Sequence, residues 1–183
     1  MNKSKLSLRC LTEGAIMLAL ATILNLMPLF RLPNGGSIDL GMVPILFFAL
    51  RWGVGYGLLE GFLFGLLQIF VEGAVAWGWQ SLLLDFLIAF TPLGLAGLFR
   101  KKNIFIGILL GCFCRFLVHY ISGVTIYAIL VPTELFGISW LNKWTYSLAY
   151  NGSYMLIDTI FALLIFALLY KPLRKYLNCE DLQ

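Results

Sequence analysis

Arg115-Phe-Leu-Val-His119-Tyr-Ile-Ser-Gly123 sets the only histidine of the chain four residues after an arginine, in the middle of a long apolar run. At i, i+4 the two side chains share one helix face, so the helix carries a polar patch about one turn long that cannot face lipid. Something inside the protein has to answer it. Outward from this stretch, the 183 residues are 61% hydrophobic and 12% charged, with a mean hydropathy of +0.91. That is far more apolar than a soluble domain of this length, so the chain reads as an integral membrane protein.

Counting about 17 to 25 apolar residues per span, the sequence predicts an all-α bundle of six transmembrane helices near 9–29, 38–51, 53–71, 80–99, 104–130 and 148–170. They form a single membrane domain over 1–183. The second helix is short, bracketed by Asp39, Pro44 and Arg51, and follows a Pro33-Asn34-Gly35-Gly36 turn. An even number of spans puts both termini on one side. Ten of the thirteen Lys and Arg lie at the termini, at Arg51 and in the Arg100-Lys101-Lys102 loop, against Arg31 and Lys143 on the other side. The termini are therefore cytoplasmic, and the net charge of +4 is a topology signal rather than a nucleic-acid footprint. Trp77, Trp79, Trp140 and Trp144 gather at the outer face, where the longest loops also fall. The basic residues ahead of the first apolar run resemble a signal peptide. That run is nevertheless long enough to span and lacks a small-x-small cleavage site, which makes it a retained helix. Cys10, Cys112, Cys114 and Cys179 form no C-x-x-C pair and read as packing residues, with neither a metal nor a disulfide framework.

Helix three carries Gly53, Gly57, Gly61 and Gly65 at i+4 spacing, a seam for close approach of another helix. Helix one has Ala15-x-x-x-Ala19 with Gly14 and Ala21 beside it, a smooth surface that serves either internal packing or docking of another membrane protein. Thr91-Pro92 bends helix four.

Five ionisable side chains fall within spans, Glu60, Asp85, Arg115, His119 and Asp158, and each calls for a partner or a ligand. Glu60 is expected to meet Arg51 or Arg115. Helices four and six run inward and helix five outward, so Asp85, His119, Tyr127, Tyr146 and Asn151 can converge in the outer half, with Arg115 a turn lower. They outline an aromatic pocket with one anion at its wall. A flat, cationic, nitrogen-containing solute suits it, because a carboxylate supplies charge and hydrogen-bond acceptors while rings supply stacking and cation–π attraction. The plainer alternative is a buried Asp85–Arg115 ion pair tying helices four and five together. There is no H-E-x-x-H, no G-x-S-x-G and no nucleotide-binding loop, so neither catalysis nor ATP hydrolysis is expected of this chain, and no cofactor.

Three stretches carry a family resemblance: Leu-Leu-Asp85-Phe-Leu-Ile-Ala-Phe-Thr-Pro-Leu-Gly-Leu-Ala-Gly-Leu-Phe-Arg100, the Arg115–Gly123 segment, and Tyr146-Ser-Leu-Ala-Tyr150-Asn151-Gly-Ser-Tyr-Met155. In these the chain resembles the thiamine-specific substrate-binding (S) components of energy-coupling factor (ECF) vitamin transporters. The resemblance implies a six-helix protein of the bacterial cell membrane that binds thiamine from outside. It also implies a partner, a transmembrane coupling subunit carrying two ATPases. By the same resemblance the acid that meets the aminopyrimidine is Asp85. Arg115, His119, Tyr127, Tyr146 and Asn151 complete the substrate site, and Ala15 and Ala19 dock the coupling subunit. The chain departs from the family pattern at Phe86, where many members have tyrosine, and at Tyr127, which stands for a stacking tryptophan. Two other readings remain: an S component for a related heterocycle such as hydroxymethylpyrimidine or riboflavin, and a self-sufficient ion-coupled carrier. The carrier would be expected to show two repeats, which are absent from the sequence.

Overall fold

The computed structural model describes residues 3–32, 35–71, 78–126, 134–135, 137–139 and 142–182. They hold six apolar helices: α1 (Lys3–Leu26), α2 (Met42–Trp52), α3 (Val54–Val71), α4 (Trp79–Phe99), α5 (Ile104–Ile126) and α6 (Lys143–Leu177). Two short hairpins accompany them, β1 (Phe30–Arg31) with β2 (Ser37–Ile38), and β3 (Glu134–Leu135) with β4 (Ile138–Ser139). All of the long helices are apolar enough to cross a membrane. Their outer faces expose side chains such as Leu11, Ile16, Phe62, Phe113, Leu156 and Leu168. In water such continuous patches would drive aggregation, whereas lipid solvates them.

α2 is the exception and the centre. At 11 residues it rises about 16 Å, half of a hydrocarbon core of about 30 Å. It is wrapped on most sides: Met42, Ile45, Leu46, Ala49 and Leu50 are almost fully buried against Ala21 of α1, Phe64 of α3, Leu93 of α4, Ile108 of α5 and Phe166 of α6. Because α2 is too short to span, the chain ahead of it descends into the bundle without helical structure. Its backbone polar groups need partners there. Gly36 N–H donates to Tyr150 Oη at 2.8 Å, and Asp39 N–H donates to Asp158 Oδ1 at 3.1 Å. The Asp39 side chain accepts from Gly41 N–H at 2.8 Å and from Ser37 Oγ at 2.7 Å, fixing the turn into α2.

Helix boundaries differ from expectation for identifiable reasons. α1 stops at Leu26 because Pro28 disfavours helical geometry in the residue before it. α2 begins four residues later than predicted, after the Asp39 turn. α6 begins at Lys143 rather than 148, capped by Asn142, whose side chain accepts from Trp144 N–H at 2.9 Å. It also runs on through Pro172 to Leu177. Gly53, expected as the first rung of the α3 ladder, instead breaks the chain between α2 and α3 at φ +94°. That is a conformation glycine alone adopts cheaply.

The rest of the ladder does form the seam. A Cβ at Gly61 or Gly65 would overlap the carbonyl oxygens of Phe90 and Phe86, so α3 lies backbone against backbone on α4. Here α4 departs from α-geometry. Leu82–Ile88 form a π-turn, with Ala89 N–H bonded to Leu84 O, and Thr91–Phe99 tighten to a 3₁₀ helix entered at Pro92. Proline has no N–H to give to the preceding turn, and the widened turn before it contains Asp85 and Phe86. We expect Gly65→Ala to lower stability by about 1–3 kcal/mol, read as a lower melting temperature in detergent. Gly55→Ala, where nothing lies within 4 Å, is the control. Equal melting of the two variants would contradict the seam.

The N-terminal end of α1 and the C-terminal tail lie at the same end of the bundle. Arg9 and Arg51 both bond to Asp181, and Arg100 Nη1 donates to Arg51 O at 3.3 Å. The clustered basic residues put this end in the cytoplasm. Glu60 meets neither Arg51 nor Arg115. Arg51 is taken by Glu13 and Asp181 at this end, and Glu60 faces Gly14 of α1, with its Oε1 unpartnered among the described residues.

Candidate functional site

At the outer end of the bundle, the first-loop residues Gly35, Gly36 and Ser37 lie over a cavity. Its other walls are Asn25 of α1, Gln68 of α3, Asp85, Phe86 and Phe90 of α4, Arg115 and His119 of α5, and Tyr154 of α6. Three of the residues predicted to form the site, Asp85, Arg115 and His119, thus line one cavity. They are wired differently from the alternative of an Asp85–Arg115 ion pair. Asp85 Oδ1 lies 3.1 Å from His119 Nδ1, and Oδ2 accepts from Ser81 Oγ at 2.7 Å. The separation of about 6 Å between residues four apart on a helix explains the exchange. The histidine stands level with Asp85, while the arginine lies a turn deeper, where α6 offers Asp158.

Arg115 Nη1 is 4.0 Å from Asp158 Oδ2 and 3.5 Å from Met42 Sδ, and its guanidinium carbon sits 4.5 Å from the centre of the Phe90 ring. An ion pair on one side and a cation–π contact on the other hold the cation without recourse to Asp85. Arg115 Nε has no partner among the described residues. Asp85 therefore keeps a carboxylate that no guanidinium neutralises among the described residues, and its side chain, which lines the cavity, is 23% exposed.

His119 is held edge-on by Phe90 and Tyr154, with ring centres at 6.4 and 6.2 Å. An ionised carboxylate only accepts hydrogen bonds, so Nδ1 carries the hydrogen donated to Asp85. In the neutral ring Nε2, unpartnered among the described residues, is then an acceptor. Asn151 stands behind the histidine rather than in the cavity wall. Its Nδ2 donates to His119 O at 3.1 Å and to Ser147 O at 3.2 Å, and its Oδ1 accepts from Tyr154 Oη at 2.9 Å. Gly123 makes room for this, since a Cβ there would come within 2.8 Å of Asn151 Nδ2. Tyr146 is buried and stacks on Tyr150 at 5.8 Å and 15°, and Tyr150 in turn holds the first-loop Gly36. Asn151 and Tyr146 thus position cavity residues from behind. Tyr127 lies outside the described residues, as do Trp77 and Trp140, whereas Trp79 and Trp144 are exposed near the outer ends of α4 and α6.

Asn25, Gln68, Phe90 and the link from Asp39 to Asp158 also belong to the site, although charge patterning in the sequence does not mark them. An asparagine near the outer end of α1 and a glutamine near the outer end of α3 are the sequence signals for the first two. No local pattern announces a contact between Asp39 and Asp158, which lie 119 positions apart. On α1 the small residues divide: Gly14 and Ala21 face inward and are buried, whereas Ala15 and Ala19 are exposed on the outer face. Among the described residues no group of three or more His, Cys, Asp or Glu side chains is placed to hold a metal ion.

Comparison with known proteins gives a consistent result. The family model described as thiamine transporter protein matches residues 11–178. The thiamine transporter ThiT of Bacillus subtilis is 32% identical over 197 aligned residues, covering 98% of this chain and 99% of that protein. ThiT of Lacticaseibacillus paracasei is 29% identical, covering 86% and 84% respectively. A solved structure of ThiT from Listeria monocytogenes superposes with a TM-score of 0.81 at 25% identity, covering 93% of this chain and 98% of that one.

Proposed function

The chain belongs to the thiamine transporter protein family, and from that premise we propose that it is a multi-pass bacterial membrane subunit that captures thiamine at its outer face. It then delivers the vitamin through an ATP-driven ECF transporter. The observation that carries this reading is the un-neutralised Asp85 carboxylate, braced by Ser81 and His119 at the wall of an outward cavity lined by Phe86, Phe90 and Tyr154. Thiamine is a cation with an aminopyrimidine ring. The carboxylate accepts from the amino group and offsets the thiazolium charge, and the aromatic walls stack on the rings. Arg115 forms the floor, and His119 Nε2 is available to the ligand. Asn151 and Tyr146 hold the histidine and the first loop in place, and Tyr127 belongs to the same site. Gly35–Ser37 of the first loop close over the bound vitamin.

The chain acts as a binding subunit rather than an enzyme. Its partner is a transmembrane coupling subunit with two ATPases, docked on the exposed Ala15–Ala19 stripe, where small side chains allow close helix–helix contact. The decisive test is quenching of intrinsic tryptophan fluorescence by thiamine in the purified, detergent-solubilised protein. Saturable binding far tighter than millimolar is expected. A millimolar or weaker response, with tighter binding of another vitamin, would remove the thiamine assignment. Thiamine uptake driven by a proton gradient into vesicles holding this chain alone would remove the coupled-subunit assignment.

A further inference from the structure

The charged groups of the cavity come from α4 and α5, yet its α1–α3 wall is also polar. Asn25 is 6% exposed and Gln68 is 1% exposed. Asn25 Nδ2 donates to Gln68 Oε1 at 3.2 Å, and both residues line the cavity. That bond uses the carbonyl end of the Gln68 amide and leaves Nε2 without a partner among the described residues. A buried N–H left unpaired loses the hydrogen bond it had to water and is destabilising. Joining α1 to α3 requires no such donor, because an apolar pair of the same size would do so at no polar cost. The unpaired N–H is explained when an acceptor occupies the cavity.

We propose that Gln68, held by Asn25, is a specificity-determining residue whose Nε2 donates a hydrogen bond to the hydroxyl oxygen on the hydroxyethyl arm of thiamine. The inference rests on thiamine being the ligand. An amide N–H gains nothing from the thiazolium charge or from the ligand's amino group; it needs an acceptor. Thiamine offers two kinds, the pyrimidine ring nitrogens and the hydroxyl oxygen. With the amino group on Asp85, the ring nitrogens lie within one ring's width of it, on the α4–α5 side that holds His119 and Arg115. The hydroxyl, on a flexible arm at the other end of the molecule, is the acceptor left for the α1–α3 wall. A neutral donor here also avoids adding a second positive charge to a site that must admit a cation.

The test is calorimetric titration of the full-length, detergent-purified protein with thiamine and with an analogue bearing ethyl in place of the hydroxyethyl arm. The wild type is expected to prefer thiamine by about tenfold, as a well-made hydrogen bond gives. Gln68→Leu is expected to bind both compounds equally, near the wild-type affinity for the analogue. Gln68→Met, which keeps the unbranched shape, gives the same reading if the leucine variant does not fold. Equal losses for both compounds in these variants would make the amide pair purely structural and overturn the proposal. So would a wild-type protein that does not distinguish the two compounds, a result that needs no variant. A wild type that binds neither compound would instead refute thiamine as the ligand, so the two failures are separate.

Discussion

Replacing Asp85 with asparagine should weaken thiamine binding by about 100- to 1,000-fold, equivalent to roughly 3–4 kcal/mol, while leaving the protein folded. Asparagine is nearly isosteric, and its amide oxygen can still accept from His119 Nδ1, now 3.1 Å from Asp85 Oδ1. The side chain is 23% exposed and makes no ion pair with Arg115, so folding loses little when its charge goes. Binding loses far more. A hydrogen bond to a charged acceptor is worth about 1.5–3 kcal/mol, and the compensation of the thiazolium charge in a partly dehydrated site disappears with it. Paired measurements settle the matter: thermal unfolding without ligand, and thiamine titration by tryptophan quenching. Full affinity in a folded Asp85→Asn protein would make the acid a structural brace for His119, and the proposed mode of recognition would fall. Asp85→Glu retains the charge and should lose much less than the asparagine variant.

The bundle was legible in the sequence because hydropathy reports directly on lipid. The five long spans appear where length and composition require, and the polar patch at Arg115 and His119 turns inward as its cost in lipid demands. Partner choice was less legible, since it depends on depth to within a single turn. Asp85 was expected opposite His119 with Arg115 as its alternative ion partner, yet the histidine takes the direct contact and Arg115 turns to Asp158. The π-turn at Leu82–Ile88 was hidden for a different reason. Pro92 announces a break in α4, but nothing in the local sequence marks the widened turn before it, which lies against the glycine face of α3 at Phe86 and Phe90. The neutral Asn25–Gln68 pair has no charge to mark it in an apolar sequence, although a buried amide also needs a partner.

Arg51 reads in the sequence as a topology signal and as one of two expected partners for Glu60, and its replacement should be the most damaging change at the cytoplasmic end. The side chain is 1% exposed. Its Nε and Nη2 donate to Glu13 of α1 at 2.5 and 3.0 Å, Nη1 and Nη2 to Asp181 of the C-terminal tail at 2.9 and 2.8 Å, and Nη1 to Tyr176 O at 2.6 Å. One guanidinium thus ties α1, the end of α2 and the chain beyond α6 together through a planar fork that lysine cannot reproduce. Arg51→Met leaves Glu13 and Asp181 to share Arg9, so most of the pairing is lost while the carboxylates stay, a change that costs about 3–5 kcal/mol. A markedly lower melting temperature is expected, with thiamine affinity within about twofold of wild type, because the outer cavity shares no partner with this cluster. The hydrogen bonds from Arg51 hold the Asp181 carboxyl below its ordinary value. Its folded-state pKa therefore lies under the unfolded value of about 3.9, so the stability it contributes is present above that pH and lost as pH falls through the folded value. The stability gap between wild type and Asp181→Asn should accordingly be constant from neutral pH to about 5 and shrink towards pH 3. A gap that widened on acidification, or an Arg51→Met protein melting with the wild type, would show that this clasp does not hold the cytoplasmic end together.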